Sequence, residues 1–180
     1  EILQCFDLFP QRFQNDEVPV HDRIHQSIQK VIRAGMAQAQ SASGSFDCIT
    51  DNSTASCSQG ESTLRWTWDG SNFSIYNATG GGYVAEVYFD LAAGMGASFN
   101  AGASSSGVLF TSGANPSSLP GGNAVGFTSD AAFDSNSNTL GINGGEWAAF
   151  SITGTNGSLD FLSGLHVRSL VNGQSEGLVT

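Results

Sequence analysis

Two hydrophobic periods run along this chain, and they meet near Gln40. Before that point Ile24, Ile28, Val31, Ile32, Met36 and Ala39 recur three and four residues apart. This spacing draws one stripe along an α-helix, predicted over about 21–40, with Pro19 just upstream at its start. Ahead of it Ile2, Leu3, Phe6, Leu8, Phe9 and Phe13 are closely spaced and predict an extended segment. After Gln40 the period falls to two. In YVAEVYFDL, Tyr83, Ala85, Val87, Phe89 and Leu91 alternate with Val84, Glu86, Tyr88 and Asp90, the pattern of a half-buried strand. TLRWTW and FSIYN flank Asp69-Gly70 and predict a hairpin with Trp66 and Trp68 on one face. Shorter strands are expected at SFDCIT, GVLFTS, AVGFTS, EWAAFSIT, GLHVRSLV and GLVT, separated by Gly, Asn, Ser and Pro clusters. No second helical pattern appears. The expected fold is all-β, an antiparallel β-sandwich of jelly-roll type over residues 41–180, preceded by an arm, residues 1–40, that contains one α-helix.

Composition changes at the same place. Arg12, Arg23, Lys30 and Arg33 are four of the six basic residues, and Gly35 is the one glycine of 23 that precedes Gln40. The stripe of Ile24, Ile28, Val31 and Ile32 needs a cover, which is either the chain's own β-domain or another subunit. In the second case Ile2, Leu3 and Phe6 would add a strand given to a neighbour, and the arm would be an assembly device. Sixteen acidic residues against six basic ones give a formal net charge of −10. A Lys-poor acidic surface argues against nucleic acid and anionic membrane as partners. No run of about 18 apolar residues exists, so no membrane-inserted helix is expected.

Cys48 and Cys57 bracket a small polar segment, and their spacing suits neither the paired ligands of a zinc site nor a C-x-x-C redox pair. A disulfide closing a local loop is expected, and with it an oxidising, extracellular setting. Cys5 is then left as a buried free thiol or a bond to another chain.

Catalytic patterns are weak. Glu61, Glu86, Glu146 and Glu176 could supply carboxylates, but nothing in the sequence pairs them across a groove. His166, the histidine a hydrolase triad would need, alternates with Leu165 and Val167 as an outward polar residue beside Arg168. Gly94-Met95-Gly96 lacks the third glycine of a dinucleotide loop, and His21 and His25 lack a third ligand. Calcium is the one cofactor with a candidate set, Asp134, Asn136 and Asn138 with Glu146, although Thr139 and the position of Glu146 depart from the EF-hand pattern. Trp66, Trp68 and Tyr76 form a candidate aromatic platform for sugar rings. Asn52, Asn72, Asn77 and Asn156 begin N-x-S/T triplets, which are expected in surface loops.

An ordered set of short motifs carries a family resemblance. CIT at 48–50 with Cys57 and Gly60-Glu61, VYFD at 87–90, SGANPSSLPGGN at 112–123, GINGGEW at 141–147, GLHVRSL at 164–170 and GQSEGLV at 173–179 together resemble the extracellular domains of PEP-CTERM proteins, which an exosortase sorts in bacteria. The likeness covers about residues 45–180; residues 1–40 match nothing of that group. It implies export, residence at the cell surface or in a matrix, a link to exopolysaccharide and biofilm, and no established catalysis. The expectation is therefore a non-enzymatic, secreted structural protein that self-associates through its arm as a homo-oligomer or filament subunit. The alternative is a carbohydrate-binding module that recognises exopolysaccharide.

Overall fold

The computed structural model describes residues 41–50, 52–78, 82–120, 124–155 and 157–180. The expectations for the arm, including Cys5 and the predicted helix, lie outside the described residues. Two antiparallel sheets make up the fold. The first runs β1 (Ala42–Ser45), β3 (Leu64–Trp68), β4 (Asn72–Asn77), β9 (Trp147–Thr153) and β6 (Ser98–Ser104) from edge to edge. The second runs β2 (Asp47–Cys48), β11 (Glu176–Val179), β10 (Phe161–Arg168), β5 (Tyr83–Leu91), β8 (Ala131–Asp134) and β7 (Thr111–Ser112). The all-β sandwich expected from the period-two pattern is the observed architecture, and both sheets belong to one compact unit, Gln38–Thr180.

Aromatic rings join the sheets. Phe89 of β5 lies 5.6 Å from Phe73 and 5.6 Å from Phe150, on β4 and β9 of the facing sheet, and 5.3 Å from Phe99 of β6. From its own sheet Phe133 and Phe161 close around it. Burying one such ring stabilises the fold by about 1.5–3 kcal/mol, and edge-to-face pairs add to that.

Asp69 and Gly70 make the hairpin turn between β3 and β4 as expected. Gly70 takes a left-handed φ of +96°, and the Asp69 carboxylate accepts the Ser71 and Asn72 N–H groups at 2.8 and 2.6 Å. The Asn72 side-chain amide, followed by these main-chain donors, holds the Asp69 carboxyl below its ordinary value.

Three elements differ from the periodic reading. A helix, α1 (Thr54–Thr63), begins between the cysteines and runs past Cys57, although it carries no apolar stripe. Ser53 caps it, accepting the Ser56 N–H, and its buried side is built from Ser56, Cys57, Gly60 and Thr63. Small residues let it lie close to β11: a Cβ on Gly60 would stand 2.8 Å from a Leu178 methyl. Second, GVLFTS contributes only the two residues of β7, and AVGFTS forms no strand. Instead Leu119 and Phe127 fold over the outer face of the second sheet and form a small cluster with Tyr88, Ala132 and Val179. Three strands missed by the reading, β1, β6 and β8, complete the sheets.

The third difference is in β5. Glu86 pairs with His166 but Val84 with Val167, so Ala85 is an extra residue in the ladder. This bulge reverses the alternation below it. Val84 joins Val87 and Phe89 in the core, while Tyr83 and Ala85 turn to the outer face, where they line a pocket with Glu86. Bulges of this kind re-aim side chains locally.

Candidate functional site

The outer face of the second sheet gathers its ionisable groups on three adjacent strands. Register places Glu86 of β5 between His166 of β10 and Asp134 of β8. His166 Nδ1 donates to Glu86 Oε2 at 2.9 Å, Arg168 donates to Oε1 at 3.2 Å, and the Tyr88 hydroxyl donates to Oε2 at 2.5 Å. The His166 bond, then the Tyr88 bond and the charges of His166 and Arg168, outweigh burial and pull the Glu86 carboxyl from 4.5 down to about 2. Burial and then the bond to Glu86 push the Tyr88 phenol upward. Asp134 is raised, by burial and then by the charge of Glu86. Sequence reasoning had His166 and Arg168 as an outward polar pair, which they are; it did not find their partner, because Glu86 lies 80 residues from His166 in the chain.

Beside this network is a pocket of about 300 Å³ lined by Tyr83, Glu86, Asp134, Asn136, Ser137 and Arg168, among others. Asn136 adopts a left-handed φ of +59° in the turn after β8, and its amide donates to Thr111 Oγ1 at 3.0 Å. The expected calcium set is only partly assembled here. Asp134 and Asn136 share the pocket with the Arg168 cation, whereas Asn138 and Glu146 are not among its lining residues. Glu146 serves its own turn, accepting the Asn143 main-chain and side-chain N–H groups at 2.8 and 3.0 Å.

The Glu86 network makes a pH prediction. A carboxyl with a folded value depressed below its unfolded one contributes stability that is present above about 4.5 and disappears as pH falls through about 2. Discounted for the group's partial exposure, the contribution is about 1–2 kcal/mol. Asp134 acts in the opposite sense, since its raised value favours the folded state on the acid side. Stability measured by urea between pH 6 and pH 2 is expected to fall less steeply in Glu86→Gln than in the unmodified protein. Equal slopes would show that the Glu86 bonds are not maintained in solution.

A second acidic centre holds the other end of the sheet together. Cys48 and Cys57 form the expected disulfide. Glu176 at the start of β11 is fully buried. Its carboxylate accepts the Asn52 and Ser53 N–H groups at 3.0 and 2.9 Å and the Thr50 hydroxyl at 2.5 Å. It thus places negative charge at the N-terminal end of α1, where the helix dipole favours it. Both cysteine sulfurs lie close to this carboxylate, but they are bonded to each other and offer no thiolate to a metal. The Cys48→Ser/Cys57→Ser double variant is expected to lose about 2–3 kcal/mol, as for release of a loop of this length. A thermal melt on oxidised and variant protein checks it, and coincident transitions would remove the disulfide from the stability account.

The candidate aromatic platform is corrected by the fold. Trp66 and Trp68 do share a face of β3, but that face looks into the sandwich. Trp68 is 1% exposed, with its ring edge-on to Phe161. Trp66 stacks on Phe73 at 5.6 Å, lies over Gly44, and donates its indole N–H to Ser45 O at 2.9 Å. Tyr76, on the opposite face of β4, is 44% exposed, and its register partner on β9 is Trp147, 38% exposed. Sequence reasoning missed Trp147, for which the only signal was its position at the start of a strand. Among the N-x-S/T asparagines, Asn77 is not at the surface: it is buried and donates to Gly82 O and Ile142 O at 3.1 and 3.2 Å.

These features define a disulfide-stapled, two-sheet antiparallel β-sandwich with one short helix. Comparison with protein-family models, curated proteins and solved structures finds no match to this chain. Among the described residues no helix is long and apolar enough to cross a membrane.

Proposed function

We propose that the chain is a non-enzymatic, extracellular structural protein of the cell surface or matrix, which self-associates through residues 1–40 as an oligomer or filament subunit. The observation that carries this reading is the employment of the four glutamates that could have supplied catalytic carboxylates. Glu61 accepts the Cys48 N–H at 3.1 Å. Glu146 closes its turn, Glu176 holds the start of α1, and both oxygens of Glu86 are occupied by side chains of its own sheet. Each is committed to the fold. The disulfide fits an oxidising compartment, and an acidic, Lys-poor surface fits residence outside the cell without nucleic acid as partner.

Electron microscopy with light scattering on the full chain, beside a chain starting at Ser41, tests the proposal. Ordered polymers from the full chain alone are the expected result. Compact monomers from both would refute assembly through the arm.

A second reading, carbohydrate binding, is favoured by one observation, the exposed Tyr76 and Trp147 side by side on the outer face of the first sheet. Aromatic faces presented on a rigid sheet stack against sugar rings. On a glycan array, Trp147→Ala is expected to weaken any binding at this face, while Trp68→Ala would act through stability alone.

A further inference from the structure

We propose that the pocket between β5, β8 and β10 is a binding site for a single neutral sugar ring, the terminal or edge residue of an extracellular glycan. The inference rests on the carbohydrate reading for its ligand class, but it uses a different site on the other sheet.

The pocket's size and lining select the ligand. At about 300 Å³ it lies at the small end of the range for small-molecule sites, about 300–1,000 Å³, which suits one ring rather than a chain. Its groups are of opposite character and are held in place. Arg168 spends one nitrogen on Glu86, and among the described residues its other N–H groups have no partner. The Asp134 carboxylate meets the Ala114 main-chain N–H and, among the described residues, no side-chain donor. Gly113 lies directly against this carboxylate, since a Cβ there would collide with it. Tyr83 supplies an aromatic wall because the Ala85 bulge turns it outward.

Other ligand classes fit poorly. An anion would meet the carboxylates of Asp134 and Glu86. A bare cation would meet the Arg168 guanidinium. A purely apolar ligand would strand these charged groups without water, at a cost no contact in the pocket offsets. Hydroxyl groups both donate and accept, so a polyol ring can satisfy Asp134 and Arg168 together while its carbon face rests on Tyr83.

Removal of a hydrogen bond to a charged group weakens binding by about 10-fold or more. The test is titration of the full chain with neutral tetrasaccharides of glucose, mannose and galactose, beside uronate-containing and amine-bearing oligosaccharides. At least one neutral probe is expected to bind, with about 10-fold weaker affinity in Asp134→Asn and in Arg168→Gln. Ser137→Trp is expected to abolish binding by filling the mouth of the pocket. Ser137 is an exposed rim residue outside the Glu86 network, so this variant keeps the test valid if either charge substitution loosens the sheet. Binding lost in these variants but kept in Trp147→Ala supports the pocket even where the exposed aromatic pair proves inert. The proposal is overturned if no neutral probe binds, if only charged oligosaccharides bind, or if binding survives Ser137→Trp and falls only with Trp147→Ala.

Discussion

Phe89→Ala is expected to remove about 3–5 kcal/mol of folding stability, a large share of the roughly 5–15 kcal/mol available to a domain. The side chain is fully buried and its ring meets Phe73, Phe99, Phe133, Phe150 and Phe161. Those rings come from both sheets and cannot collapse into the space, because each is fixed by its own strand register. Truncation therefore loses the transfer energy of the ring and leaves a cavity. Equilibrium urea unfolding followed by tryptophan fluorescence reads the change, with Trp68 as a buried reporter. A loss below about 1 kcal/mol would mean that the sheets slide together to fill the gap, and that the ring cluster is not the keystone its geometry indicates.

Glu176→Ala has the next largest expected effect, about 3–5 kcal/mol. The variant leaves the Asn52 and Ser53 N–H groups and the Thr50 hydroxyl without their acceptor. The site is too enclosed for water to replace the carboxylate freely, so each lost bond carries a desolvation penalty. Ser53→Ala is the useful comparison. It removes the side-chain cap of the same helix turn, for which about 1 kcal/mol is expected. If the two variants were equally mild, α1 would be held by its small-residue packing on β11 and by the disulfide, and the buried carboxylate would be incidental.

The contrast between these two residues shows where the sequence is readable. Phe89 sits in the clearest period-two stretch of the chain, and its inward placement follows from alternation alone. Glu176 sits at a strand end among Gly, Ser and Gln, and its partners lie more than a hundred residues away. Nothing local marks it. The same holds for α1. A helix is legible from its apolar stripe, and this one buries serine, cysteine, glycine and threonine instead. In β5 the alternation was correct at Val87 and Phe89 and failed below Glu86, because a one-residue bulge is set by the pairing with β10 and not by the side chains of β5. That failure falls where the pocket forms.

The candidate site divides along the same line. Cys48 and Cys57 were legible because a disulfide loop is a short-range feature. Trp66 and Trp68 were correctly placed on one face, but which face of a strand looks inward depends on the sheet that covers it. The sequence by itself determined that this chain builds sheets, from its period of two, where its main hairpin turns, from Asp69-Gly70, and which two cysteines join, from their spacing, since each of these depends on residues close together in sequence. Only the tertiary structure decided that Trp147 stands exposed beside Tyr76, that Glu176 holds a helix, and that Tyr83, Asp134 and Arg168 face one another. Those arrangements depend on strand order and register, which arise from packing between distant segments.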